Sequence, residues 1–130
     1  MPYVSEWNVR TGDTDFSGLV YTPVVIDQIV RSIQDLLGEV GYAPGTASER
    51  GLLYPAVHAE ADYLDAIGIG DRVQIELTPN VGDTSLTINA TGSLSEPVFE
   101  GSVTLVFVDA DTSEPTPVPG ELRDRLQAFS

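Results

Sequence analysis

Apolar residues recur at helical spacing over one long stretch of the chain: Val24, Val25, Ile29, Val30, Ile33, Leu36 and Leu37. Asp27, Arg31, Gln34, Asp35 and Glu39 occupy much of the remaining surface, which predicts one amphipathic helix. Thr22 suits its N-cap, Pro23 its first position, and Gly38 or Gly41 its end. On either side the pattern is that of strands. Residues 4–10 predict a short first strand, with Trp7 and Val9 on its buried face. Asp13, Thr14, Ser17 and Gly18 are turn-forming types, so a loop follows. Residues 42–51, rich in Gly, Pro, Ala and Ser, predict a second loop.

From residue 53 the period falls to two. Residues 54–66 predict a long strand, with Val57, Ala59, Ala61 and Tyr63 on one face and His58, Glu60 and Asp62 on the other. A turn at 68–71 leads to a strand over 72–80 that alternates through Val73, Ile75 and Leu77. Gly82-Asp83 marks a hairpin turn, and 85–93 alternates again through Leu86, Ile88 and Ala90. After Glu96-Pro97, residues 98–108 predict the last strand, whose nearly continuous apolar end implies a central, well-covered place. Three prolines, Pro115, Pro117 and Pro119, precede a short helix over 121–128. The order is strand, helix, then four strands. It predicts a single α+β domain over 1–130, with an antiparallel sheet of about five strands against one long helix. One helix leaves sheet edges and part of a face open, which favours pairing with a second copy.

Composition narrows the function. The 130 residues carry 20 acids and six basic residues, a formal net charge of -14, and every basic residue is arginine. The acids are dispersed rather than gathered in a tail, as in proteins of salt-accumulating halophiles, where a Debye length of about 3 Å at 1 M salt screens self-repulsion; the competing reading, an ordinary acidic protein with a basic partner, is less favoured because no acidic cluster marks a docking patch. Such a surface excludes nucleic acid as a partner, since binding it needs a basic footprint. No apolar run reaches the length of a membrane span, and residues 1–6 have neither the basic nor the apolar part of a signal, so the expected place is the cytoplasm. The chain has no cysteine, which excludes disulfides and thiolate chemistry.

Chemistry is suggested in one place, the segment Gly12-Asp13-Thr14-Asp15-Phe16-Ser17-Gly18-Leu19-Val20-Tyr21-Thr22-Pro23. It sets a carboxylate and a glycine beside a helix start. A carboxylate can attack a carbonyl or activate water. A helix N-terminus offers oriented N–H groups to the resulting oxyanion. The plain alternative is a turn in which Asp13 and Asp15 make Asx-type hydrogen bonds and Gly18 supplies a positive φ. Tyr21 either lines a pocket or packs on the sheet. His58, the only histidine, reads as a solvated or interface residue beside Glu60. With Glu60 and Asp62 it alternates on one face, a weak metal pattern that nothing else in the sequence supports.

This segment, the helix after it, and the later Ala59-Glu60-Ala61-Asp62-Tyr63-Leu64 followed by Gly70-Asp71 resemble the hotdog-fold acyl-CoA thioesterases. The similarity is to the 4-hydroxybenzoyl-CoA thioesterase type and its Tol-Pal-associated relatives, and it spans residues 4–108. It implies a sheet wrapped around the helix and a homodimer or homotetramer with sites at subunit interfaces. It implies Asp15 as the catalytic carboxylate, nucleophile or base, the Thr22 N–H as the donor to the thioester oxygen, and Gly18 as the residue that lets the chain approach substrate. Tyr21 and His58 become candidate substrate-binding residues. The substrate would be an acyl-CoA, with no metal and no organic cofactor. The chain departs from the pattern at Thr22, where many relatives carry His or Tyr, and at 24–28, where they are aromatic and basic. Two other readings stay open: a module of the same fold that binds without turnover, and a lyase, which the lack of a loop or helix histidine disfavours. CoA is polyanionic, so Arg10, Arg50 and Arg72 are the candidates to meet it.

Overall fold

A helix needs somewhere to put its apolar stripe, and here that place is the inner face of one antiparallel sheet. The computed structural model describes residues 1–130. Helix α1 (Thr22–Glu39) buries Val25, Ile29, Ile33, Leu36 and Leu37. Val25, Ile29, Ile33 and Leu36 follow one another at spacings of four, four and three, and Leu37 stands four after Ile33, which sets all five on one side of the cylinder. The sheet comprises β1 (Tyr3–Asn8), β3 (Ala56–Tyr63), β4 (Arg72–Val81), β5 (Ser85–Ser93) and β6 (Pro97–Val106), in the order β1-β4-β5-β6-β3. All neighbours are antiparallel. The alternating residues Val73, Ile75, Leu77, Leu86, Ile88 and Ala90 are all buried, as expected. Gly101 lets α1 settle close, since a Cβ there would stand 2.8 Å from Ile29 Cδ1. Truncating Ile29 to alanine would cost about 2–5 kcal/mol. The one buried polar residue of the core, Ser32, shares a 2.8 Å hydrogen bond with Ser5 of β1.

The far end of α1 is closed off. Gly41 takes φ +89°, Tyr42 N–H donates to Leu37 C=O at 2.7 Å, and Arg125 Nη1 donates to Val40 C=O at 2.8 Å. Arg125 stands on the last helix, α3 (Gly120–Leu126), which buries Leu122 and Leu126. Tyr42 Oη donates to Glu121 of the same helix at 3.1 Å.

Several expected boundaries shift. The helix begins with Thr22 inside it, and Tyr21, in extended backbone, is the N-cap. The first strand stops at Asn8, although Val9 is still buried. The expected loop 42–51 contains a short helix, α2 (Pro44–Glu49), which buries only Ala47. The expected strand 54–66 shortens to β3, which starts after Pro55 and ends at Tyr63; before it, β2 (Leu52–Leu53) pairs with β7 (Val108–Asp109) in a separate ribbon. The larger correction concerns the faces of β3. Val57 and Tyr63 are 61% and 47% exposed, and the charged face is open as well, so this edge strand is covered within the chain only in part, at Ala61, which packs on the core. The last long strand lies inside the sheet between β5 and β3, as its apolar end implies. No helix is long and apolar enough to cross a membrane.

Candidate active site

Between the end of β1 and the start of α1 the chain folds into a small hydrogen-bonded loop. Asp13 C=O accepts from Tyr21 N–H at 2.9 Å, and Asp15 N–H donates to Leu19 C=O at 2.9 Å. Gly18 N–H returns to Asp15 C=O at 3.1 Å, and Gly18 takes φ +80°, a region a side chain would strain. A neighbouring segment straps the loop from outside: Val20 N–H donates to Ile67 C=O at 2.8 Å, and Ile69 N–H to Gly18 C=O at 3.0 Å. The turn residues seen in sequence therefore build a closely bonded platform, with the positive φ of Gly18 at its corner.

Asp15 stands on this platform in full contact with solvent. Its Oδ1 accepts from Ser17 N–H at 2.8 Å and from the Ser17 hydroxyl, while Oδ2 has no partner in the chain. The Ser17 hydroxyl first, then the Ser17 N–H, holds its carboxyl below the ordinary carboxylate value. The Asx turn considered from sequence is thus present, and it leaves one carboxylate oxygen free. Asp13 is bonded differently. Its Oδ2 accepts from Arg10 N–H at 2.9 Å and from the indole Nε1 of Trp7 at 3.2 Å.

Thr22 lies at the helix start, with no side chain capping it and no acid in the first turn. Its N–H has no acceptor within the chain, and Pro23 has no N–H to offer. The orientation of that N–H is nevertheless set on both sides. Tyr21 C=O accepts from Val24 N–H at 2.9 Å, and Thr22 C=O accepts from Tyr63 Oη at 2.5 Å. Beside it opens a pocket of about 320 Å³, walled by Leu19, Val20, Thr22 and Val25 on one side and by residues 63–67 on the other. Seven of its nine lining residues are hydrophobic, so a group docked there would leave water for an apolar wall beside Thr22, whose N–H is unpaired.

The structure therefore joins Thr22, Gly18's loop and an apolar pocket, and sets Asp15 on that loop outside the pocket lining. Tyr21 is 57% exposed and does not line the pocket. His58 lies on β3 with its Nε2 3.7 Å from Glu60 Oε1, both side chains open to solvent, and it also stands outside the pocket. His58, Glu60 and Asp62 do not converge as a metal ligand set. None of Arg10, Arg50 and Arg72 lines the pocket, and Arg50 lies over the Tyr42 ring at 5.0 Å. Sequence reasoning missed Tyr63 and Ser17. A tyrosine at a strand end announces a hydroxyl in need of an acceptor, but its partner, 41 residues away, comes only with the fold.

Residues 9–126 match the family described as the thioesterase-like superfamily. A 1,4-dihydroxy-2-naphthoyl-CoA hydrolase of Synechococcus elongatus is 29% identical over 123 residues, covering 92% of this chain and 90% of that protein. Among solved structures, a 1,4-dihydroxy-2-naphthoyl-CoA thioesterase from Synechocystis superposes with a TM-score of 0.90 at 18% identity, covering 98% of this chain and 96% of the other. A gentisyl-coenzyme A thioesterase superposes with a TM-score of 0.85 at 20% identity, covering 95% and 99%. At those identities the superpositions show the fold.

Proposed function

The chain belongs to the thioesterase-like superfamily, with its hotdog fold, and from that premise we propose that it hydrolyses an acyl-CoA thioester to a carboxylic acid and free CoA. The observation that carries the reading is the unpaired N–H of Thr22, a residue lining the apolar pocket, beside a closely bonded loop that bears an ionised, half-free carboxylate. The acyl group occupies the pocket and its thioester oxygen meets the Thr22 N–H. As the carbonyl carbon becomes tetrahedral, that donor and the positive end of α1 stabilise the charge gathering on oxygen. Asp15, through Oδ2, attacks the carbonyl carbon or takes a proton from the attacking water; CoA leaves as the thiolate. On the first route a mixed anhydride forms and water opens it. The names borne by the curated relatives support an aromatic acyl group.

The same reading includes self-association. β3 offers a free backbone edge and a largely exposed surface, and a second copy would bring further walls to the pocket. The approach of CoA, a polyanion, to a chain of charge -14 is helped by salt.

A second reading has one observation in its favour. Asp15 bonds Ser17 and does not line the pocket, which suits a module that binds acyl groups without turning them over. Release of CoA from short, long and aromatic acyl-CoAs, at low salt and in molar KCl, separates the two. Hydrolysis that falls about a thousandfold in Asp15→Asn, with fold and oligomeric state unchanged, is the expected result. Tight acyl-CoA binding with no CoA release from either protein establishes the binding module instead.

A further inference from the structure

Asp13 does more than a turn requires. A turn would be served by its bond to Arg10 N–H alone, yet the same oxygen also takes the indole N–H of Trp7. Trp7 is 5% exposed and fixed in β1 opposite Val73 of β4, so the carboxylate is tied to a post set in the sheet. The backbone of Asp13 is equally engaged, its N–H on Arg10 C=O and its C=O on Tyr21 N–H, both at 2.9 Å. Tyr21 in turn accepts from Val24 N–H, and Tyr21 C=O shares one planar peptide unit with Thr22 N–H. A continuous chain of bonds thus runs from the buried indole through Asp13 and Tyr21 to the one unpaired donor of the helix start.

We propose that Asp13 is a positioning residue for thioester hydrolysis, a step that rests on the functional reading above: it touches no substrate, and it aims the Thr22 N–H by tying the loop to Trp7. Both donors converge on a single oxygen, so an asparagine, which keeps one carbonyl oxygen, can hold them where alanine cannot. Position rather than charge is what the residue supplies.

The test uses the full chain, with kcat and KM for CoA release measured on the acyl-CoA that wild type hydrolyses fastest. Asp13→Ala is expected to lower kcat by about 10- to 100-fold with KM within about threefold, because misplacement of a reacting group by about 1 Å costs on that order. Asp13→Asn should recover most of that loss. Trp7→Phe, which keeps the ring packing and drops the indole donor, should show a smaller loss in kcat, and the Asp13→Ala/Trp7→Phe double variant no more than Asp13→Ala alone. Trp7 is the only tryptophan, so its emission reads the bond directly and should shift in Asp13→Ala. The Thr22 amide resonance should move with it.

Wild-type kcat in Asp13→Ala, alongside an inactive Asp15→Asn, would overturn the proposal. So would a loss confined to KM, or an Asp13→Asn no better than Asp13→Ala. If Asp13→Ala does not fold, the Asp13→Asn and Trp7→Phe variants decide, and full kcat in Trp7→Phe with an unmoved Thr22 amide would sink the idea. Full activity in Asp15→Asn would instead defeat the functional reading, while the emission and amide shifts would still report whether Asp13 aims Thr22.

Discussion

The two ends of α1 are finished in opposite ways. Its C-terminus is closed by a left-handed Gly41, a return bond from Tyr42 to Leu37, and the Arg125 guanidinium on Val40 C=O. A cation there also suits the negative end of the helix dipole. Its N-terminus has no capping side chain, no acid in its first turn and a free N–H at Thr22, yet the peptides around that N–H are firmly held. The difference separates stability from chemistry along one element. The closed end spends its polar groups on itself. On the proposed mechanism the open end leaves one donor and its positive field for the charge that develops on the thioester oxygen.

Four substitutions probe this contrast, in falling order of expected effect. Thr22→Pro should remove the donor without harming the fold, because proline is favoured at a first helical position and Tyr21 already has the extended backbone that precedes one. Its kcat should drop by about 10²–10³-fold with an unchanged melting temperature; a wild-type rate would remove the open end from the mechanism. At the closed end, Arg125→Ala should cost about 1–3 kcal/mol in urea unfolding by stripping Val40 C=O of its partner, and leave kcat alone. Tyr21→Asp gives the open end the anion it lacks. It should add about 0.3–1 kcal/mol of stability while slowing turnover severalfold, and faster turnover would contradict the assigned polarity. The smallest effect belongs to Ser17→Ala. The Ser17 hydroxyl is the main group holding the Asp15 carboxyl below its ordinary value, so its loss lets that value rise. Activity carried by the ionised form should then begin to fail at higher pH as acid is added. The acid limb of the kcat profile moves up toward the ordinary carboxylate range, with little change at neutrality.

The sequence carried the fold better than the site, for physical reasons that particular residues make plain. Val25, Ile29, Ile33, Leu36 and Leu37 announce α1 because one continuous wall buries them, and the alternation in β4 and β5 is legible for the same reason. Helix α2 was hidden because Pro44-Gly45-Thr46-Ala47-Ser48-Glu49 buries a single alanine and so has no period to show. β3 misled in the other direction: its alternation is regular, but this chain covers it only at Ala61, which packs on the core, and at Tyr63, which reaches Thr22 C=O. In the site, the positive φ of Gly18 and the place of the helix start could be read from residue types. The bonds of Ser17, Trp7 and Tyr63 could not, since each depends on where the backbone carries a distant or adjacent polar group. Thr22 shows the limit most clearly. Its side chain suggested a cap, but Tyr21 takes the N-cap place, and the backbone N–H named for Thr22 came from the family resemblance rather than from its residue type.

The strand order β1-β4-β5-β6-β3 also has a consequence for how the chain comes into being. Both outer strands belong to the first half of the sequence and the three inner ones to the second. A ribosome extends the chain by roughly 5–20 residues per second, from the N-terminus onward. The borders of the sheet are therefore synthesised before there is a middle to hold them, and the stripe of α1 waits in water with them. The β4-β5-β6 meander, whose pairings are between consecutive strands, is the part able to close on itself as soon as it emerges. Completion then runs outward, with strands already made returning to flank the last ones made.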